Sequence, residues 1–169
     1  MKKNLVLLGM MGVGKTTAGI SVAKKQNMKF IDTDHQIESK CSMKISEIFT
    51  QKGEKFFRIE EEKEVLKSLK KNNCVIALGG GAFQNKNVRN VILKNSVSIW
   101  LDVNLKVLNK RTKWSKKRPL LNKKSNQKKI NELYSERKNI YNQANFRIDC
   151  NNLDKEMIIN KIIDLYDKN

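Results

Sequence analysis

Histidine is almost missing from this chain: His35 is the single one among 169 residues. A histidine-rich metal centre is therefore excluded, and a phosphohistidine intermediate has no suitably placed imidazole to form on. Cysteine is sparse as well. Cys41, Cys74 and Cys150 are odd in number, far apart, and form no C-x-x-C pair. A disulfide framework and a cysteine zinc site are excluded, and reduced thiols in a cytoplasmic protein are expected. Proline occurs once, at Pro119, and no stretch rich in Pro, Gly or Ser marks a linker, so one domain is expected at this length. No apolar run approaches the roughly 18 residues of a transmembrane helix. The opening "MKKNLVLLGM" places an apolar run after two lysines. Gly9, Gly12 and Gly14 interrupt it, and Lys15 follows without a cleavage pattern, so it does not read as a signal peptide.

Arginine is scarce in a strongly basic chain. The formal net charge of +18 comes from 29 Lys and six Arg. A field of that size attracts phosphate backbones. Nucleic-acid recognition, however, favours the planar two-pronged guanidinium, and the lysines are spread over most presumed surfaces among 20 Asn. The charge reads as solvated surface that speeds the arrival of anionic small molecules, and neither a nucleic-acid nor a membrane partner is expected. No heptad run or large apolar stripe is left over, so a monomer is expected.

What is present is an alternation. Short apolar runs at "LVLLG" (5–9), "KFIDTD" (29–34), "CVIALGG" (74–80), "VSIWLD" (97–102) and "FRID" (146–149) read as strands. Between them, 16–26, 60–71 and 104–112 carry apolar residues at helical spacing. This predicts an α/β fold with a mostly parallel sheet covered on both faces. The polar, basic stretch 113–129 reads as a loop, and its functional version is a lid over the site.

Three of the eight glycines fall within "GMMGVGKTT" (9–17). Gly9, Gly14, Lys15 and Thr16 complete G-x-x-x-x-G-K-[ST]. Glycines let successive N–H groups turn inward onto phosphate oxygens, and the following helix presents its positive end. Lys15 is expected on the β- and γ-phosphates and Thr16 on Mg²⁺. The apolar run 74–79 ends in glycines where many phosphate-loop proteins carry a metal-directed Asp. Asp32 and Asp34 in "FIDTD" are the substitutes. An extended backbone would point both to one side, Asp32 to the metal and Asp34 to an acceptor hydroxyl, with helix capping as the alternative duty. Gly79, Gly80 and Gly81 favour close approach of a ligand to the backbone. Arg58 and Arg137, in a chain that otherwise uses Lys, point to a carboxylate, with surface ion pairs as the alternative. Arg118 in the presumed lid is expected on the transferring phosphoryl, and Arg111 beside the adenine.

In "GMMGVGKTT", "FIDTD", "ISEIFTQKGEKFFRIEEE", "VIALGGGA", "RPLL" and "ERKNIY", in that order and spacing, the chain resembles the shikimate kinases. The resemblance implies a three-layer, five-stranded parallel sheet of order 2-3-1-4-5, of the nucleoside-monophosphate-kinase type, with a lid at about 113–127 and a substrate-binding helical region at about 34–62. It implies transfer of the ATP γ-phosphate to the 3-hydroxyl of shikimate, in the pathway to chorismate and aromatic amino acids. Residues 12–17, that is Gly12, Val13, Gly14, Lys15, Thr16 and Thr17, would cradle ATP, with Arg111 and Arg118. Asp34, Arg58, Gly79, Gly80, Gly81 and Arg137 would hold shikimate. Thr16 and, through water, Asp32 would hold Mg²⁺. Lys15, Asp34 and Arg118 would carry catalysis, Asp34 either positioning the hydroxyl or taking its proton. One departure stands out: the family often has a basic residue in the loop after the fifth strand, where this chain has Asn152 and Leu153. A gluconate-type kinase, a nucleic-acid-binding module and a nucleotide switch without turnover are the competing readings. Direct in-line transfer without a phosphoenzyme is the expected chemistry.

Overall fold

The computed structural model describes the backbone of residues 3–113 and 123–169 and the side chains of 3–110 and 127–169. Five strands, β1 (Asn4–Leu8), β2 (Lys29–Asp32), β3 (Cys74–Ala77), β4 (Ser96–Asp102) and β5 (Phe146–Asp149), form one parallel sheet in the order β2-β3-β1-β4-β5. Every residue of β1, β3 and β4 is buried, as strands covered on both faces must be. β2 and β5 alternate because each is an edge.

Among the described residues, eight α-helices surround or flank the sheet. They are α1 (Lys15–Lys25), α2 (Thr33–Cys41), α3 (Ile45–Gln51), α4 (Glu54–Leu69), α5 (Lys86–Asn95), α6 (Leu105–Lys113), α7 (Lys123–Tyr141) and α8 (Lys155–Asp167). One apolar core runs between sheet and helices, with Trp100, Tyr141, Tyr166 and Phe83 as its largest fully buried side chains. A second, smaller core of Ile37, Ile48 and Phe57 lies among α2, α3 and α4, with the Phe49 and Phe57 rings 4.8 Å apart. That helical group thus has its own packing beside the sheet.

Two sequence expectations change. The second strand was expected to reach Asp34, but β2 stops at Asp32 and α2 starts at Thr33. The physical reason is a cap: the Asp32 carboxylate accepts from the His35 N–H (3.2 Å), which satisfies a free amide of the first helical turn. The stretch 113–129 was expected to be a loop throughout, but α7 already begins at Lys123. Lys and Gln are adequate helix formers, and Ile130, Leu133, Tyr134, Arg137 and Tyr141 give one face of the helix to the protein interior.

β1 and β3 are neighbours in the sheet, and the loops leaving their C-terminal ends lie side by side. Ligands of open α/β sheets bind outside those ends. The loop after β1 is the glycine-rich segment 9–14, and the turn after β3 is the triple glycine 79–81.

Candidate active site

The segment 9–14 folds back onto the start of α1. Gly14 takes φ +99°, a conformation that side chains resist, and passes directly into the helix at Lys15. Gly9 lies so close to β4 that a Cβ there would stand 2.5 Å from the Leu101 carbonyl oxygen. The Lys15 ammonium is held by the carbonyl oxygens of Gly9 (2.8 Å) and Met10 (2.9 Å). The Thr16 hydroxyl donates to the Asp32 carboxylate (2.7 Å), so Asp32 uses one oxygen on Thr16 and the other on the α2 cap. A hydroxyl and a carboxylate side by side are the hard oxygen donors that suit Mg²⁺, a cation that takes its remaining ligands from phosphates and water.

Asp34 sits in the first turn of α2 and reaches the triple glycine from the β2 side. The residue between the two aspartates fixes this approach. Thr33 is fully buried, and its hydroxyl donates to the Ala77 carbonyl (3.3 Å) and accepts from the Gly79 N–H (3.0 Å). A Cβ on Gly79 would collide with Asp34 Oδ1 and stand 2.9 Å from Glu61 Oε1. A Cβ on Gly80 would stand 3.2 Å from Arg137 Nη1, and one on Gly81 would collide with the Arg58 guanidinium. Asp34 from α2, Arg58 and Glu61 from α4, and Arg137 from α7 thus converge on three consecutive backbone positions. The two arginines share one site.

Arg58 also makes the ion pairs that were its alternative reading. It donates to Glu54 through Nε (3.2 Å) and Nη2 (3.1 Å) and to Glu61 through Nη1 (2.8 Å). Burial opposes its charge, but Glu61 and Glu54 outweigh this and raise its pKa. Arg137 is buried, only 8% exposed. Glu61 is buried as well. Desolvation pushes its carboxyl above the usual range although Arg58 pulls the other way, and the nearby Asp34 adds to the rise. The site therefore holds two carboxyls and two guanidiniums within one turn's reach. Arg111 lies in the last turn of α6 and is described only as backbone; Arg118 and most of the predicted lid lie outside the described residues. In the loop after β5, the Asn151 side-chain Oδ1 accepts from the Asn104 N–H (2.7 Å), which ties this loop to the start of α6. Asn152 is exposed, and Leu153 packs against the core.

Three residues at the site carried no role in the sequence reading: Thr33, Glu61 and Tyr141. Each stands inside a motif quoted above, "FIDTD", "GEKFFRIEEE" and "ERKNIY", but spacing alone does not show what a buried hydroxyl or carboxyl touches. Among the described residues, no group of three or more His, Cys, Asp or Glu could hold a metal ion.

Comparison with known proteins agrees with this geometry. The family model described as shikimate kinase matches residues 11–167. A shikimate kinase from Sulfurihydrogenibium sp. is 43% identical over 161 residues, covering 95% of this chain and 96% of its own length. One from Bacillus subtilis is 39% identical over 165 residues, covering 96% and 88%. The solved shikimate kinase from Acinetobacter baumannii in complex with shikimate superposes with a TM-score of 0.93 at 30% identity, over 99% of this chain and 94% of that one. A fold match over nearly all of both chains, with these identities, leads to one conclusion: the chain belongs to the shikimate kinase family.

Proposed function

We propose that this protein transfers the γ-phosphate of ATP to the 3-hydroxyl of shikimate, giving shikimate 3-phosphate and ADP. The observation that carries the reading is the convergence of Arg58, Arg137 and Asp34 on the triple glycine, next to the phosphate loop. Two guanidiniums provide forked donors for a carboxylate, and a carboxylate beside them suits a hydroxyl. A switch without turnover needs none of the three, and gluconate, which is also a carboxylate, is separated from shikimate by the assay below.

In this reading the main-chain amides of 12–17 and the Lys15 ammonium bind the phosphates. Thr16 and, through water, Asp32 hold Mg²⁺, which supplies neutralisation of phosphate charge when bound. Arg58 and Arg137 hold the acceptor's carboxylate. Asp34 orients its hydroxyl and accepts the proton as the oxygen attacks phosphorus in line. By the family resemblance Arg118, outside the described residues, would serve the phosphoryl, and Arg111 would flank the adenine. The helical region at about 34–62, with its separate small core, is the acceptor-binding part of one domain. Such chemistry needs positioning and charge neutralisation more than covalent help. A monomer working in the cytoplasm, without nucleic-acid or membrane partners, fits this reading; among the described residues no helix is long and apolar enough to cross a membrane.

A coupled ADP-release assay with shikimate present and omitted tests the reading. ADP release that depends on shikimate and Mg²⁺ is the expected result. Equal release without shikimate, or with gluconate in its place, would reject it.

A further inference from the structure

Tyr141 is one of the largest fully buried side chains, 1% exposed, and it stands one helical turn after Arg137 on the same face of α7. Its hydroxyl donates to the Gly80 carbonyl oxygen, and Arg137 Nη1 lies 3.2 Å from where a Gly80 Cβ would be, so both side chains meet at Gly80. Its ring rests on Trp100, 5.8 Å between centroids, and its oxygen lies 3.8 Å from Met10 Sδ in the phosphate loop. Trp100 also flanks the phosphate loop, 3.4 Å from where a Gly9 Cβ would be.

We propose that Tyr141 is a positioning residue for the acceptor: its hydroxyl pins the Gly80 carbonyl and so fixes the triple-glycine turn against which the Arg137 guanidinium lies. This rests on the function proposed above. A buried carbonyl must be partnered, and a buried hydroxyl must use its bonding capacity. Tyr141 meets both needs with one atom. A stiff ring wedged against Trp100 has little rotamer freedom, so Arg137 is oriented before the acceptor arrives, which saves the ordering cost on binding. Without the hydroxyl the Gly80 carbonyl loses its donor and the turn beside Arg137 loses its anchor. The phosphate loop keeps its main-chain geometry, because no bond within it passes through Tyr141.

The test begins with the wild-type protein in the assay above; absence of shikimate-dependent turnover there defeats the proposed function, independently of this inference. With that activity in hand, Tyr141→Phe is expected to raise the KM for shikimate about fivefold, the effect of losing one hydrogen bond, while the KM for ATP stays unchanged. In an Arg137→Ala background the same change should add almost nothing, since the group it positions has gone. An unchanged shikimate KM overturns the proposal, as do equal rises for ATP and shikimate, or losses that simply multiply in the double variant. If Tyr141→Phe does not fold, NMR of the wild-type protein decides. A slowly exchanging Tyr141 hydroxyl proton and restricted rotation of the Arg137 guanidinium without shikimate support the linkage. Free rotation of that guanidinium overturns it.

Discussion

The phosphate loop and the triple-glycine turn both depend on glycine, but for opposite reasons. Gly14 has open space where a Cβ would go; what a side chain would resist there is the backbone angle, φ +99°. Gly79 and Gly81 have no positive φ, and their restriction is the neighbours: Asp34 and Glu61 at one, the Arg58 guanidinium at the other. One turn uses glycine to aim main-chain amides. The other uses it to leave room for side chains that arrive from α2, α4 and α7. The nucleotide half is therefore local and built from backbone, whereas the acceptor half is assembled from residues about a hundred positions apart.

Substitutions on the two sides should fail differently. The largest loss is expected at Asp34. Asp34→Asn should lower kcat by about 10²- to 10⁴-fold, the usual worth of a positioned proton acceptor, with ATP affinity intact; a nearly normal kcat would remove Asp34 from the chemistry. Arg58→Lys comes next. A lysine keeps the charge but not the fork, so the KM for shikimate should rise about tenfold while the KM for ATP holds. An unaltered shikimate KM would leave Arg58 as a partner of Glu54 and Glu61 alone. Asp32→Asn separates two duties of one side chain. Asn caps helices as well as Asp does, so the melting temperature should stay within a few degrees, while the Mg²⁺ concentration needed for half-maximal rate should rise several-fold. A large drop in melting temperature with no change in Mg²⁺ requirement would make Asp32 purely structural.

The smallest effect concerns the far end of the buried α7 face. Tyr134 donates to Asp102 (3.1 Å), which also accepts from Arg147 (2.7 Å). Burial, and then the charge of Asp102, push the Tyr134 phenol up to about 12 from its ordinary 10.0. The native state then keeps a proton that the unfolded chain releases, so stability declines as pH rises through that interval. Tyr134→Phe should flatten that part of a pH–melting curve, and an equal slope in both proteins would contradict the assignment.

The same contrast explains what could be read from the sequence. β1 and β4 were visible as unbroken apolar runs because both of their faces are covered. The phosphate loop was visible because its parts are contiguous and their spacing has a mechanical reason. The end of β2 was misplaced because "FIDTD" looks equally extended on either side of Asp32, and only the bond from His35 marks the change to helix. The start of α7 was missed because its first turns are polar and its apolar face begins at Ile130. For the acceptor pocket, the residues reached the page through resemblance and through the scarcity of arginine. Glu61 and Tyr141 had no such signal, since their importance lies in what burial brings next to them.

Thr33 deserves a final consequence. It anchors Gly79 from inside, with Asp32 on one side of it in the chain and Asp34 on the other. In the proposed mechanism the spacing between cation and acceptor hydroxyl would be set by a single tripeptide whose middle member is tied to Ala77 and Gly79. Inserting or deleting one residue within it would carry one of the two acids away from its partners.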